Sequence, residues 1–254
     1  MTTTATPGIS DDRGSAVSLD IHHPRTGSRM WTSRLIGGLF LAGFVVYGTG
    51  SVLVTSVVDG PDFLAGLGAR QTTLLVGAFL LVATTAVDIG KAVLVFPVLE
   101  RHGKRTAVAY LATMIFEMAL MTVGALAVLM LVPLADQADS GRLGADTAQV
   151  LGSLAVDANE TAYQIGQLAL GFGALFLCAL LYRSGLIPRF LAGWGFVGYL
   201  LHMSGAAAEL FGAPLSLVLL IPGGLFEVTL GIWLLVKGFA PAAYDGPRVV
   251  SADA

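Results

Sequence analysis

Residues 161–239 read TAYQIGQLALGFGALFLCALLYRSGLIPRFLAGWGFVGYLLHMSGAAAELFGAPLSLVLLIPGGLFEVTLGIWLLVKGF. Within them lies the short turn Arg183-Ser184-Gly185-Leu186-Ile187-Pro188-Arg189. On both sides of that turn the chain is apolar for about 20 residues, the helical length that crosses the hydrocarbon of a bilayer. An arginine stands at each end of the turn, where a helix passes from hydrocarbon to charged headgroups. Gly185 suits a helix C-terminus and Pro188 the first turn of the next helix. The stretch predicts a transmembrane helical hairpin with a cytoplasmic loop.

Composition extends this reading to the rest of the chain. Of 254 residues, 55% are hydrophobic and 12% charged, against about 25% charged in soluble domains. The expected organisation is one membrane domain over 31–239, a cytoplasmic tail over 1–30 and a short cytoplasmic tail over 240–254. The first tail is rich in Thr, Ser, Gly, Asp and Pro and has no apolar periodicity, so it is expected to be disordered. Its His22-His23 pair reads as solvated side chains rather than metal ligands. The first apolar run starts too late and is too long for a secretory signal. The one cysteine, Cys178, lies in a span and excludes an intrachain disulfide. Basic residues are few and scattered at helix ends, which excludes a nucleic-acid surface. The partner implied is the lipid bilayer.

Six spans follow, at about 35–57, 72–99, 106–134, 161–182, 189–210 and 215–236. The connection 135–160 is the longest, and a short amphipathic helix is expected in it, with Leu143, Val150, Leu151 and Leu154 inward against the membrane. With both termini inside, the cytoplasmic segments hold Arg13, Arg25, Arg29, Arg34, Arg101, Lys104, Arg105, Arg183, Arg189, Lys237 and Arg248. The outer segments hold only Arg70 and Arg142, and this asymmetry sets the orientation. The fold class is thus all-α: an integral membrane bundle of six transmembrane helices, N-in and C-in.

Ionisable residues inside a span are expensive and raise a functional question each. Asp88 and Lys91 in span 2, Glu117 in span 3, His202 in span 5 and Glu227 in span 6 are the candidates for holding a ligand or ion. At about 1.5 Å of rise per residue, Asp88, Glu117, His202 and Glu227 fall near the middle of the bilayer. Asp88 and Lys91 are three apart on one helix face, so a salt bridge that orders the bundle stands beside a functional role. Glu117 and Glu227 have no opposite charge nearby in sequence. Carboxyl groups so placed either donate hydrogen bonds to a neighbouring helix or form a proton relay, a cation site or an acid catalyst.

His202 and Glu209 share a face of span 5, yet no HxxxH, HExxH or ExxH spacing occurs, so neither a metal nor a cofactor is expected. Ile221-Pro222-Gly223-Gly224, just before Glu227, is expected to kink or break span 6. Gly193-Trp194-Gly195-Phe196-Val197-Gly198 matches GxGxxG, but without a preceding strand it reads as a close helix crossing.

The hairpin LLYRSGLIPRFLAGWGFVGYLL followed by IPGGLFEVTLGIWLLVKGF resembles a large family of bacterial multi-spanning membrane proteins known as a domain of unknown function, common in actinobacteria and bacilli. The family's linking turn is matched by Tyr182, Arg183, Ser184, Pro188 and Arg189, and its closing segment by Glu227, Trp233 and Lys237-Gly238. Asp88 and Glu117 fall where the family tends to carry an acidic residue, over a resemblance of roughly 33–239. It implies a multi-pass fold and a plasma-membrane location, and no activity.

Three functions remain open. The first is a small-ligand or ion-binding or transport protein using the midplane carboxylates, its ligand unknown. The second is a membrane-embedded enzyme acting on a lipid or isoprenoid with His202 assisting, which no nucleophile or metal-ligand spacing supports. The third is a non-catalytic structural or regulatory protein, and a homo-oligomer is compatible with each.

Overall fold

The computed structural model describes residues 26–243. Most of the two expected tails, with His22-His23, lies outside the described residues. Those described form α1 (Thr26–Val58), α2 (Leu67–Leu129), α3 (Leu131–Asp139), α4 (Ala145–Ser184), α5 (Arg189–Leu210), α6 (Ser216–Val236) and a 3-10 turn, Pro241–Ala243. No strand occurs among them. Among the described residues four helical stretches are long and apolar enough to cross a membrane: Met30–Val58, Leu67–Asp139, Ala145–Ser184 and Ser216–Val236. Large apolar side chains such as Phe79, Phe190 and Leu217 stand exposed, as suits a surface solvated by lipid rather than water.

α2 is a hairpin although its helical hydrogen bonding is nearly continuous. Gly103 leaves helical geometry at φ 177 and ψ 85, between the predicted spans 72–99 and 106–134. Thr85 and Thr122, far apart in sequence on either side of it, bring their hydroxyls to 3.2 Å. The two arms therefore lie side by side. Neighbouring helices then close a ring, α1 to α2, α2 to α4, α4 to α5, α5 to α6, and α6 back to α1.

The turn between α4 and α5 forms as its residues dictate. Gly185 takes the left-handed conformation at φ 68 and its N–H donates to Leu181 O at 3.1 Å. Pro188 caps α5, its carbonyl accepting from the N–H groups of Leu191 and Ala192. Gly185→Ala is expected to cost about 1–2 kcal/mol for a left-handed Cβ. Gly193→Ala, whose Cβ would meet nothing within 4 Å, is the neutral control, and thermal unfolding in detergent compares the two.

Two apolar cores fill the ring. One, at the end of the bundle with the 185–188 turn, includes Ile36, Leu99, Leu181, Leu186 and Phe226. The other, at the end with the 59–66 loop, includes Val54, Phe63, Leu67, Leu131 and Ala148. Backbones approach closely where glycine faces glycine. A Cβ on Gly198 would lie 3.0 Å from the Cα of Gly223, and one on Gly50 would lie 3.0 Å from the carbonyl oxygen of Gly77.

Two expectations are corrected. The connection 135–160 is mostly helix, and no separate amphipathic helix forms around 143–154, because α4 starts at Ala145 and runs on to Ser184. Val150, Leu151 and Leu154 face away from the protein core. The inward side is instead the small residues Ala148 and Gly152, which admit Phe63 and Leu64 of the 59–66 loop. Of the kink or break expected in span 6, the break does not occur, for α6 runs through Pro222. Gly223 uses its missing side chain to seat α5 at Gly198 rather than to open the helix.

Candidate functional site

Between the two cores the ring encloses a cavity of about 470 Å³. Asp88, Lys91, Glu117, His202 and Glu227 all line it. Four separate helical segments bring them together: the two arms of α2, then α5 and α6.

Asp88 and Lys91 form the buried ion pair that their spacing allows, Nζ to Oδ1 at 2.6 Å. The lysine ammonium also sits 4.5 Å from the ring centroid of Phe40 on α1. Gly43 leaves room for this pair on α1, since a Cβ there would come 3.3 Å from Asp88 Oδ1. Glu227 accepts a hydrogen bond from the hydroxyl of Tyr199 on α5. His202 Nε2 lies 2.7 Å from Gln167 Oε1 of α4, and its ring meets Tyr199 edge-on.

Glu117 differs from these. It is 3% exposed, and its Oε2 has no hydrogen-bond partner. A buried acceptor left unpaired costs about 1–3 kcal/mol, so its position calls for an explanation beyond packing.

The sequence reading overlooked the contribution of α4 and of the tyrosines. Glu160, Gln164 and Gln167 recur four and three residues apart and place a polar stripe on the cavity side of α4. Gln164 donates to Glu160 Oε1 at 2.5 Å and accepts from the Ser216 hydroxyl at 3.1 Å. Glu209 Oε2 accepts from the Ser216 N–H at 3.1 Å and so caps the start of α6. Tyr47 and Tyr163 stack at 5.7 Å between centroids, with rings 8° from parallel, beside Glu160. The spacing of Glu160, Gln164 and Gln167 is the available signal, and placing the start of the span at 161 separates Glu160 from the two glutamines.

The arrangement offers carboxyl oxygens, amides, hydroxyls and one imidazole around a space large enough for a small molecule. Among the described residues no group of three His, Cys, Asp or Glu side chains is placed to hold a metal ion. No curated protein and no solved structure matches the chain. The family model described as "Domain of unknown function (DUF4386)" matches residues 35–238, and the chain belongs to that family.

Proposed function

We propose that this protein crosses a bacterial plasma membrane six times, with both termini in the cytoplasm, and binds a small ligand or ion in its central cavity, as a binding or transport protein does. Six crossings are supported by the fold-back of α2 at Gly103 and by the length of α5, 22 residues or about 33 Å. The orientation rests on the lysine and arginine asymmetry, and the bacterial membrane on the family resemblance. What carries the binding reading is the convergence of Asp88, Lys91, Glu117, His202 and Glu227 on one cavity. Most of these groups are also paired, as residues that only join helices would be, but all of them face a common space and Glu117 Oε2 within it has no partner.

The test is a thermal-stability screen of the purified protein with cations, lipids and prenyl compounds in acidic, neutral and alkaline buffers. Wild type is compared with Glu227→Gln, which keeps an acceptor for Tyr199 and removes the carboxyl group. A ligand present at a hundred times its Kd stabilises by about 2.7 kcal/mol. Such a shift is expected in wild type and reduced or lost in the variant. If Glu227→Gln is less stable under every condition and no compound discriminates the two, Glu227 joins helices and the binding reading falls.

A further inference from the structure

Resting on that binding reading, we propose that the ligand is a lipophilic organic cation, an amine or ammonium with an apolar tail, and that it enters sideways between α1 and α6. The charges facing the cavity are unequal. Asp88, Glu117, Glu160, Glu209 and Glu227 line it, and among the described residues Lys91 is the one lysine or arginine that does so. Lys91 is already held by Asp88. Glu160, Glu209 and Glu227 each accept from a neutral donor, respectively an amide, a backbone N–H and a phenol. Glu117 Oε2 accepts from none and is buried against the cavity. The space therefore presents more carboxyl groups than cationic ones, with one carboxyl oxygen unpartnered, which suits a guest that brings N–H groups and positive charge. Aromatic rings at Tyr47, Tyr163 and Tyr199 line the same space, and the face of such a ring attracts an ammonium group.

The route comes from how α1 and α6 diverge. Near the 185–188 end they touch backbone to backbone, and a Cβ on Gly37 would lie 2.5 Å from the carbonyl oxygen of Gly231. Further along, Phe44 still lies against Gly224, a Cβ there coming 3.7 Å from the Phe44 ring. One turn beyond, a Cβ on Gly48 would meet nothing within 4 Å, although Gly48 lines the cavity. Facing it on α6 are Leu217 and Leu220, both lining the cavity, and Leu217 is 77% exposed. The mouth is therefore apolar and on the side of the bundle, where hydrocarbon surrounds a protein in a bilayer. A bare inorganic ion gains nothing from such a mouth. An amphiphile can leave its tail between Phe44 and Leu217 while its head reaches Glu117. The volume of about 470 Å³ also far exceeds the roughly 30 Å³ of a water-sized guest.

The experiment uses the full chain in lipid nanodiscs and four probes: dodecylammonium, dodecanol, dodecanoate and tail-less ammonium chloride. Affinity is read by thermal stabilisation over a concentration series. Dodecylammonium is expected to stabilise the protein and the other three are not. Glu117→Gln is expected to weaken it roughly thirtyfold or more, the loss that follows removal of one partner of a buried charge pair. Gly48→Phe, which leaves every carboxyl group in place and fills the mouth, is expected to weaken it too. That second variant keeps the test decisive if Glu117→Gln folds poorly. Equal stabilisation by dodecanol or dodecanoate, sensitive to Glu227→Gln, overturns the cationic ligand and leaves the binding reading standing. Equal stabilisation by ammonium chloride, untouched by Gly48→Phe, overturns the tail and the sideways route. Silence from all four probes while another compound of the broader screen binds overturns this inference alone, and silence from every compound overturns both.

Discussion

Lys91→Met is expected to destabilise the protein by about 3–5 kcal/mol, the cost of leaving one buried charge without its partner. Lys91 is 5% exposed and Asp88 9% exposed, and among the described residues their contact of 2.6 Å is the only ion pair at the cavity. The substitution also removes the ammonium from the face of Phe40, through which α1 is tied to α2. Asp88→Asn combined with Lys91→Met is expected to recover a large part of the loss, because it removes both charges and leaves no orphan. Asparagine is the right replacement since it keeps the shape that Gly43 accommodates. Thermal unfolding in detergent of wild type, the single variant and the double variant reads the result. A single variant as stable as wild type would show that the pair contributes no cross-link to the bundle. Should that variant also lose the ligand response, Lys91 belongs to the binding machinery instead.

How much of this was legible in the sequence depends on how far each feature reaches. The 183–189 turn was readable because its chemistry is local: Gly185 tolerates the left-handed conformation and Pro188 has no N–H to lose at a helix start. The Asp88–Lys91 pair was readable because three residues along a helix set a fixed distance. The depths of Glu117, His202 and Glu227 follow from helical rise, but depth does not say which way a side chain points. Their meeting in one cavity depends on the rotation of each helix, which is set by contacts such as Gly198 on Gly223 that link distant parts of the chain. The start of α4 was missed for a different reason. Asp146, Asp157 and Glu160 lower the hydropathy of 145–160, and hydropathy measures transfer into lipid, not helix continuity. With 40 residues, or about 60 Å, α4 is about twice as long as the hydrocarbon is thick.

That excess length bears on how the site is built. α5 and α6 have 22 and 21 residues, and they meet α4 about halfway along it, where Ser216 bonds Gln164. The longer helices hold a core of their own beyond that level, around Leu67 and Leu131. The short pair contributes Tyr199, His202 and Glu227 to the cavity and, with α1, the opening at Gly48. The cavity thus lies where a rigid four-segment frame meets a shorter hairpin, and the weakest wall is the α1–α6 contact that closes the ring.

Gly37→Leu attacks that wall and is expected to cost about 3 kcal/mol, at the top of the range for overpacking. A Cβ at Gly37 would lie 2.5 Å from Gly231 O, 2.9 Å from Leu235 N and 3.0 Å from Leu234 Cβ. Two of these three atoms are backbone, so no rotamer change relieves the collision and α1 must move off α6. The bond from Arg34 Nε to Leu235 O at 3.2 Å is then lost as well. Gly38→Leu is the control one residue away, where a Cβ would meet nothing within 4 Å and the new side chain points into open space. Its expected effect is within about 0.5 kcal/mol, as for other surface changes. Thermal unfolding of the two variants side by side measures the difference. Equal loss at both positions would mean that leucine harms this stretch of helix generally and that α1 and α6 do not meet through Gly37. A loss confined to Gly37→Leu, with the dodecylammonium response weakened beyond what stability explains, would tie closure of the ring to the ligand it holds.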